Sequence, residues 1–309
     1  MDLGEYFISR RSQVEEALSS FIKTHYHSGM MEMAAYAVTG GKRVRGVMAI
    51  LVCEALGGTV EQAKTAACAV ELCQSASLAL DDIQDNDEMR RGRPAFWKQY
   101  GMQLAVLVPD MLVPHATLFT QQYGPRALGT IVLAWGNITR GQLLDFPNLR
   151  RLFPLATEDY STIIALKTAS LFAATAELGC RASKKEWFLE VSKTYGHETG
   201  MAFQCYDDAC DLLKTIGQPW EAVSKGPLPV SLQALKILVG GDSIVSEEDS
   251  LRAMHLGAEY LKKAQQAAQT FPDSEVKDLL VELPQWGCRS LLIEALGMER
   301  VNEGRLPGI

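Results

Sequence analysis

Apolar residues recur at three- and four-residue spacing along most of the chain. The clearest examples are residues 14–26, 47–56, 60–80, 160–178 and 254–271. This spacing places apolar side chains on one face of an α-helix. Alternation of β-branched and polar residues, which is typical of strands, is scarce. The pattern therefore predicts an all-α fold. A length of 309 residues is enough for one large helical domain over residues 1–309.

Two aspartate clusters interrupt these apolar helical segments. The first is Asp81, Asp82 and Asp85, and the second is Asp207, Asp208 and Asp211. On a helix the three carboxylates of one cluster lie within one turn, where like charges repel each other. Hard oxygen ligands of this kind suit Mg²⁺, which commonly bridges protein carboxylates to phosphate. One such motif alone is as readily a solvated acidic patch. The apolar residues before both clusters favour a magnesium-diphosphate site instead.

A basic, glycine-rich run at residues 40–46 precedes an apolar helical segment. Its glycine pair lets the backbone approach an anion closely, and Lys42 and Arg45 add charge at the predicted helix start. Such a site binds phosphate without a metal. Further cations in weakly charged surroundings are Arg90, Arg91, Lys167 and Lys225. Any one of these alone is more commonly a solvated surface residue.

The order of these motifs resembles that of the trans-isoprenyl diphosphate synthases, also called polyprenyl synthetases. The similar segments are GGKRVRG at 40–46, ELCQSASLALDDIQDNDEMRRG at 71–92, GQLLDF at 141–146, Tyr160 with Lys167-Thr168, and FQCYDDACD at 203–211. The resemblance implies a single helical bundle of the isoprenoid synthase type with a central active-site cavity. It also implies a Mg²⁺-dependent prenyltransferase that condenses isopentenyl diphosphate with dimethylallyl, geranyl or farnesyl diphosphate.

The resemblance assigns roles to individual residues of this sequence. It implies that three Mg²⁺ ions hold the allylic diphosphate between the two clusters, with all six aspartates as ligands or near-ligands. Arg90, Lys167 and Lys225 are expected to contact the same diphosphate. Backbone carbonyls near Lys167-Thr168 and the side chain of Gln204 are expected to stabilise the allylic cation. Isopentenyl diphosphate is expected on Lys42, Arg45, Gln74 and Arg91. No histidine base is required, and the five histidines lack metal-ligand spacing.

Product length in such enzymes is commonly set by side chains just before the first aspartate cluster. Ala76 and Ser77 occupy these positions, and neither is bulky. We therefore expect a geranylgeranyl (C20) product, with a longer chain as the second choice and farnesyl as a further alternative. Tight helix packing would also explain two small residues here. A bulky side chain elsewhere, for example Met48, is a further candidate for the residue that stops growth of the prenyl tail (the stopper).

Three departures from the family pattern stand out. Gly46 replaces the proline that usually ends the GGKRxRP motif. Val108-Pro109-Asp110, with a further Pro114, replaces an Ala-Gly-Asp segment, and the two prolines are expected to disturb that helix. Gln218 stands where lysine is usual after the second cluster. One cation fewer is expected to weaken diphosphate binding or loop closure.

Two other functional classes fit part of the sequence. A class I terpene cyclase also ionises allylic diphosphates, but it lacks a second diphosphate site, and Lys42, Arg45 and Arg91 predict such a site. A non-catalytic partner subunit of a synthase usually loses one aspartate cluster, whereas this chain keeps both. Only the altered loop at Gln218 favours the hypothesis of a non-catalytic subunit. The synthase is therefore the preferred hypothesis.

Composition limits the partners and the compartment. A formal net charge of −7 disfavours nucleic acid as a partner. Seven cysteines without a CxxC motif predict a reducing, cytoplasmic location and no disulfide framework. The apolar stretch at 102–119 contains two prolines and an aspartate, and we expect it not to insert stably into a membrane. The resemblance implies a homodimer.

Overall fold

The computed structural model describes residues 2–147, 159–302 and 306–309. It confirms the all-α prediction. The α-helices in these residues are α1 (Leu3–His25), α2 (Ser28–Val38), α3 (Val44–Ala55), α4 (Val60–Gln84), α5 (Phe96–Tyr100), α6 (Met102–Ala105), α7 (Val108–Thr120), α8 (Pro125–Asp145), α9 (Asp159–Ile164), α10 (Ser170–Ala182), α11 (Leu189–Lys214), α12 (Val230–Val239), α13 (Glu247–Gln269), α14 (Lys277–Leu296) and α15 (Met298–Asn302). Strands β1 (Met89–Arg90) and β2 (Arg93–Pro94) form an antiparallel hairpin.

Several helices begin or end outside the apolar pattern because polar residues cap them. Thr59 precedes α4 and accepts a hydrogen bond from the backbone N–H of Gln62. Ser246 and Asp249 form the reciprocal pair of a capping box at the start of α13. A π-helical turn at Ala165–Ala169 joins α9 to α10. Such turns occur often at functional sites.

The chain divides into two compact units, each made of separate segments. Unit 1 comprises Met1–Trp135, Ala174–Glu190 and Pro272–Leu279, and unit 2 comprises Gly136–Ala173, Val191–Phe271 and Leu280–Ile309. The prediction of one domain over residues 1–309 stays a prediction.

Helix α4 forms the centre of unit 1. It packs against α1, α2, α3 and α7. Most of its buried residues are small, for example Ala66, Ala69 and Ala76. Small side chains allow neighbouring helices to approach closely. Helix α4 carries the first aspartate cluster at its end, so close packing on several sides fixes the position of that cluster.

The core of unit 2 surrounds the π-helical turn. A Cβ atom on Gly141 would lie 2.5 Å from the backbone nitrogen of Lys167, and one on Gly200 would lie 2.6 Å from the Cα of Ala169. A Cβ on Gly196 would lie 2.3 Å from the carbonyl oxygen of Phe172. Only glycine permits such backbone contact. Gly141 and Gly200 therefore allow close packing against the segment that carries Lys167 and Thr168, and Gly196 allows it against the start of α10.

The prolines near residue 110 do not end the helix that contains them. Helix α7 has Pro109 in its first turn, where no N–H is needed, and it continues through Pro114. The expected disturbance of its geometry stays a prediction. By length and composition alone, Met102–Tyr123 and Asp159–Ala182 could each cross a membrane. Core helices of soluble proteins meet the same criterion, and 67% of the second window is buried. The membrane prediction stays a prediction.

Candidate active site

The first aspartate cluster lies at the C-terminal end of α4. Asp81 and Asp82 are in the last turn, and Asp85 is the C-cap residue. The C-terminal end of a helix carries partial negative charge, so carboxylates there are doubly unfavourable. Asp81 is half-buried and Asp85 is exposed. A bound cation would offset this concentration of negative charge.

Asp82 is the buried member of the first cluster. Its Oδ1 accepts a hydrogen bond of 2.7 Å from the Nε of Arg90 on strand β1. Burial raises the pKa of Asp82, although the Arg90 guanidinium opposes that rise. The ion pair attaches the hairpin to the end of α4. It places Arg90 beside Asp82, and its contact with the allylic diphosphate stays a prediction.

The basic run at residues 40–46 forms the end of the loop before α3 and the first turn of that helix. Lys42 and Arg45 are partly exposed, whereas Arg43 between them is buried. Arg43 is the N-cap residue and has a left-handed backbone with φ 63°. Gln74 lies partly exposed on α4. The helix therefore starts where the sequence predicted, and two of the three cations of the run keep access to solvent.

Positive charge accumulates where the hairpin meets this loop. The Nη1 of Arg91 donates a 2.8 Å hydrogen bond to the carbonyl of Thr39, and the Nη2 of Arg93 donates to the same oxygen at 3.1 Å. Burial, together with the charges of Arg43 and other arginines, lowers the pKa of Arg91 to about 10. A lowered pKa means that the protonated form is destabilised, and an anion would relieve this.

A cavity in unit 1 joins these two regions. Its lining includes Asp82, Arg90 and Arg91, together with Ser75 and Tyr36. The structure thus brings three predicted site residues together. Asp82 is predicted to lie at the metal site, Arg90 to contact the allylic diphosphate, and Arg91 to contact isopentenyl diphosphate. All five residues belong to unit 1.

The second cluster lies near the C-terminal end of α11. Asp207 and Asp211 are half-buried, and Asp208 is buried. Asp208 accepts hydrogen bonds from the hydroxyl of Tyr160 at 2.6 Å and from the Nε2 of Gln204 at 3.0 Å. Burial raises the pKa of Asp208 to about 7. Both oxygens of Asp208 bind protein donors, so the geometry favours a near-ligand role over direct metal ligation.

The amide of Gln204 continues this hydrogen-bonded chain. Its Oε1 accepts a 2.7 Å hydrogen bond from the Oγ1 of Thr168, which lies in the π-helical turn. Because Nε2 donates to Asp208, both ends of the amide are fixed. The structure therefore brings together three residues predicted from the sequence, Thr168, Gln204 and Asp208. It adds Tyr160, whose role the sequence did not indicate.

Lys167 is held by a residue that sequence reasoning also missed. Its Nζ lies 3.0 Å from the Oδ2 of Asp145, at the end of α8. The other oxygen, Oδ1, accepts a 2.8 Å hydrogen bond from the backbone N–H of Ser231, in the first turn of α12. Asp145 is buried. Its place in the GQLLDF segment was the available signal, because a carboxylate at the end of an apolar helix requires partners.

The loop after the second cluster is pinned by Trp220. The indole is fully buried, and Pro219 pairs with Ile244 in a single antiparallel bridge. The backbone of Gln218 accepts a 2.8 Å hydrogen bond from Val245. Lys225 follows, exposed, before α12 begins. The first half of this loop is therefore fixed to the core of unit 2.

No group of three His, Cys, Asp or Glu side chains in the described parts of the chain converges closely enough to hold a metal ion by itself. Magnesium commonly takes one or two protein carboxylates and completes its coordination with water and phosphate oxygens. Asp81 with Asp85 on α4, and Asp207 with Asp211 on α11, offer hard oxygen donors of this kind. The donor set fits magnesium that arrives with a diphosphate.

Comparison with known proteins identifies the family of this chain. The family model for polyprenyl synthetase matches residues 27–220. The chain belongs to the polyprenyl synthetase family. It is 32% identical over 216 residues to the hexaprenyl pyrophosphate synthase of Saccharolobus solfataricus, covering 68% of this chain and 73% of that protein. It is 34% identical over 231 residues to the chloroplastic geranylgeranyl pyrophosphate synthase 3 of Arabidopsis thaliana, covering 69% of this chain and 64% of that protein.

Solved structures of polyprenyl synthetases share the fold. The polyprenyl synthase from Caulobacter crescentus CB15, solved with calcium and isoprenyl diphosphate, is 25% identical and superposes with a TM-score of 0.73. The match covers 93% of this chain and 97% of that chain. This likeness supports the polyprenyl synthetase fold over nearly the whole chain.

Proposed function

We propose that this polyprenyl synthetase condenses isopentenyl diphosphate with an allylic diphosphate to give a trans-prenyl diphosphate. The observation that carries the proposal is the adjacency of two kinds of site within unit 1. Asp82 and Arg90 line one cavity with Arg91, which belongs to the cation-rich region around residues 40–46. A terpene cyclase needs only the carboxylate site. A second, metal-free anion site beside it is what a two-substrate condensation requires.

Magnesium is the proposed metal, with three ions for each active site. Asp81 in α4, its C-cap residue Asp85, and Asp207 and Asp211 in α11 would be ligands, with Asp82 and Asp208 as near-ligands. When bound, magnesium withdraws charge from the leaving diphosphate and favours ionisation of the allylic C–O bond.

The residues of the chain then orient and stabilise the two substrates. Arg90, Lys167 and Lys225 contact the allylic diphosphate. Lys42, Arg45, Gln74 and Arg91 hold isopentenyl diphosphate. The carbonyls of Lys167 and Thr168 and the amide of Gln204 stabilise the allylic cation as its C–O bond breaks. The double bond of isopentenyl diphosphate forms the new C–C bond, and the released diphosphate accepts the proton that is lost.

A C20 product is the proposed outcome. Ala76 is completely buried and Ser77 nearly so, and Ser77 donates a 3.0 Å hydrogen bond to the carbonyl of Gln74. Small side chains here place no bulky group in the way of a prenyl tail, and each additional CH₂ buried is favourable by about 0.8 kcal/mol. Relatives carry names from geranylgeranyl to hexaprenyl synthase, so a longer product is the alternative.

A cytoplasmic homodimer is the proposed form of the enzyme, with no nucleic acid partner and no stable membrane insertion. Exposed apolar side chains on and before α7, Leu104, Val106, Leu107 and Leu118, supply a surface for self-association. All seven cysteines are buried and unlinked by disulfides, as a reducing compartment favours. Size-exclusion chromatography with light scattering tests the dimer, and a monomer at micromolar concentration contradicts it.

The proposed reaction is tested by incubating purified protein with Mg²⁺, isopentenyl diphosphate and each allylic primer in turn. Products are dephosphorylated and sized by chromatography. A C20 or longer alcohol, lost when EDTA replaces Mg²⁺, supports the proposal. A cyclic hydrocarbon, or no product with any primer, contradicts it.

A further inference from the structure

We infer that Glu71 is a positioning residue for the isopentenyl diphosphate site. Its buried carboxylate holds the loop end at residues 40–43 and the first turn of α3 in the shape that presents Lys42 and Arg45. The inference rests on the proposed function, because it concerns the second substrate of that reaction. It adds a residue that touches neither substrate.

The side chain of Arg43 points into the protein and away from the proposed isopentenyl diphosphate site, to which Lys42 and Arg45 belong. Its side chain is completely buried. The Nε donates to the Oε1 of Glu15 at 2.7 Å, Nη1 donates to the Oε2 of Glu71 at 3.3 Å, and Nη2 also bonds the carbonyl of Val38. These contacts tie the loop to α1, α2 and α4. The middle cation of the motif is therefore structural, whereas Lys42 and Arg45 on either side are partly exposed.

The backbone of Arg43 needs this support. A φ of 63° is left-handed, a region that side chains with a Cβ rarely adopt. Such a conformation persists when surrounding contacts over-determine it. The left-handed turn sends the Arg43 side chain inward, and helix α3 begins at the next residue. Loss of the inward contacts would free the loop to relax and would change where Lys42 and Arg45 lie.

Glu71 contacts the basic run at two points, one in the loop and one in the first turn of α3. One oxygen pairs with Arg43, and Oε1 accepts a 2.8 Å hydrogen bond from the backbone N–H of Gly46. Glu71 is itself buried. It lies on α4 three residues before Gln74, the predicted partner of Lys42 and Arg45 in binding isopentenyl diphosphate. A single carboxylate therefore fixes both the inward arginine and the start of α3 to the helix that carries the rest of the site.

Gly46 makes the second contact possible. The GGKRxRP pattern that this segment resembles ends in proline at this position, and proline has no N–H to donate. A Cβ on Gly46 would lie 2.9 Å from Val14 Cγ1 and 3.1 Å from Glu71 Cγ. Glycine thus supplies the donor and lets Glu71 approach. The departure from the family motif couples Glu71 to the loop.

The test compares Glu71→Gln with Glu54→Gln by steady-state kinetics. Glu54 is also a unit 1 glutamate bound to an arginine, Arg10, but it lies at the far end of α3 from the loop. In Glu71→Gln we expect KM for isopentenyl diphosphate to rise about tenfold. KM for the allylic diphosphate and kcat should stay within about threefold of wild type. Glu54→Gln should leave both KM values unchanged.

A pair of glycine variants tests the hydrogen bond itself. Gly46→Ala adds the Cβ and keeps the N–H, and Gly46→Pro removes the N–H as well. We expect the larger rise in KM for isopentenyl diphosphate in Gly46→Pro. If Glu71→Gln does not fold, this pair of variants tests whether the hydrogen bond from Gly46 to Glu71 supports binding of isopentenyl diphosphate.

Two results overturn the inference alone. One is equal KM for isopentenyl diphosphate in Glu71→Gln and Glu54→Gln, and the other is an equal rise in KM for both substrates. Wild-type protein that makes no elongated product overturns the proposed function, and the inference with it. The wild-type assay therefore separates the two failures.

Discussion

The hydroxyl of Tyr160 donates a 2.6 Å hydrogen bond to the carboxylate of Asp208, and both groups are buried. Tyr160 opens the helix that leads into the π-helical turn, and Asp208 belongs to the second aspartate cluster. The bond therefore connects the segment holding Lys167 to the predicted metal site of unit 2.

Tyr160→Phe should lower both stability and turnover. Removal of the donor leaves a buried carboxylate with one partner fewer, which costs about 1–3 kcal/mol in the free energy of unfolding. Tyr195→Phe is the control, because the Tyr195 hydroxyl donates a 2.8 Å bond to the carbonyl of Leu280 and does not bond Asp208. Urea unfolding should show losses in both variants. Turnover should fall at least tenfold more in Tyr160→Phe than in Tyr195→Phe. Equal turnover in the two variants would show that the bond from Tyr160 to Asp208 has no functional role.

Asp208 should make the stability of the metal-free protein depend on pH. Its pKa of about 7 in the folded state is well above the ordinary value of about 4. Between these values the folded state binds a proton that the unfolded state does not. The stabilisation is therefore fully present below pH ~4 and is lost as pH rises through ~7. Thermal unfolding in EDTA from pH 4.5 to 7.5 should show this decline, and Asp208→Asn should flatten it. A decline of the same slope in Asp208→Asn assigns the effect to other groups.

Each aspartate cluster should be essential to turnover. Asp81→Asn and Asp207→Asn should each lower kcat by about a thousandfold or more at saturating Mg²⁺, because charge on the leaving diphosphate is then poorly offset. Circular dichroism should show folded protein in both cases. Asp242→Asn, an exposed aspartate away from either cluster, should leave kcat unchanged. Retained activity in folded Asp207→Asn contradicts a mechanism that uses both clusters.

Ala76→Phe should shorten the product. Ala76 is completely buried on α4, five residues before Asp81. A phenyl ring there occupies space proposed for the prenyl tail, at a cost in folding free energy of about 1–3 kcal/mol from overpacking. Ala66→Phe introduces the same ring into the same helix, almost three turns earlier, and should leave product length unchanged. Product sizing measures both, and an unchanged Ala76→Phe product places the stopper elsewhere.

The cysteines should resist modification in the native state. All seven are buried, and burial raises the pKa of Cys53, Cys68 and Cys73 to about 12. The reactive thiolate is then scarce at pH 8. A thiol-reactive dye should label fewer than one cysteine per native chain within minutes and all seven after denaturation. Rapid labelling of Cys205 or Cys210 in native protein would contradict their burial in the core of unit 2.

Local pattern predicted the helices and placed both aspartate clusters in helical segments. Residues 60–80 were predicted helical and lie in α4, and the first cluster follows as its last turn and cap. The charges of Lys42 and Arg45 were placed correctly at a helix start. These features depend on residues within one or two turns of each other, which a sequence pattern contains.

Contacts between distant residues were not predictable in this way. Asp145 joins Lys167 to the N–H of Ser231, which lies 86 residues further along the chain. The sequence pattern assigned Arg43 no role, and its burial depends on Glu15 and Glu71 in other helices. Spacing along the chain does not show which cation turns inward. The packing of α4 decides that.

Helix α4 carries Glu71, Gln74, Ala76 and Asp81 in one unbroken rod. At a rise of about 1.5 Å per residue, the loop anchor and the first aspartate are separated by roughly 15 Å along the helix axis. Inserting or deleting one residue would turn everything beyond it by about 100° and separate these functions from one another. Product length can therefore evolve through substitutions along α4. It cannot evolve through insertions or deletions in that helix, because these would displace Asp81 relative to Glu71 and Gln74.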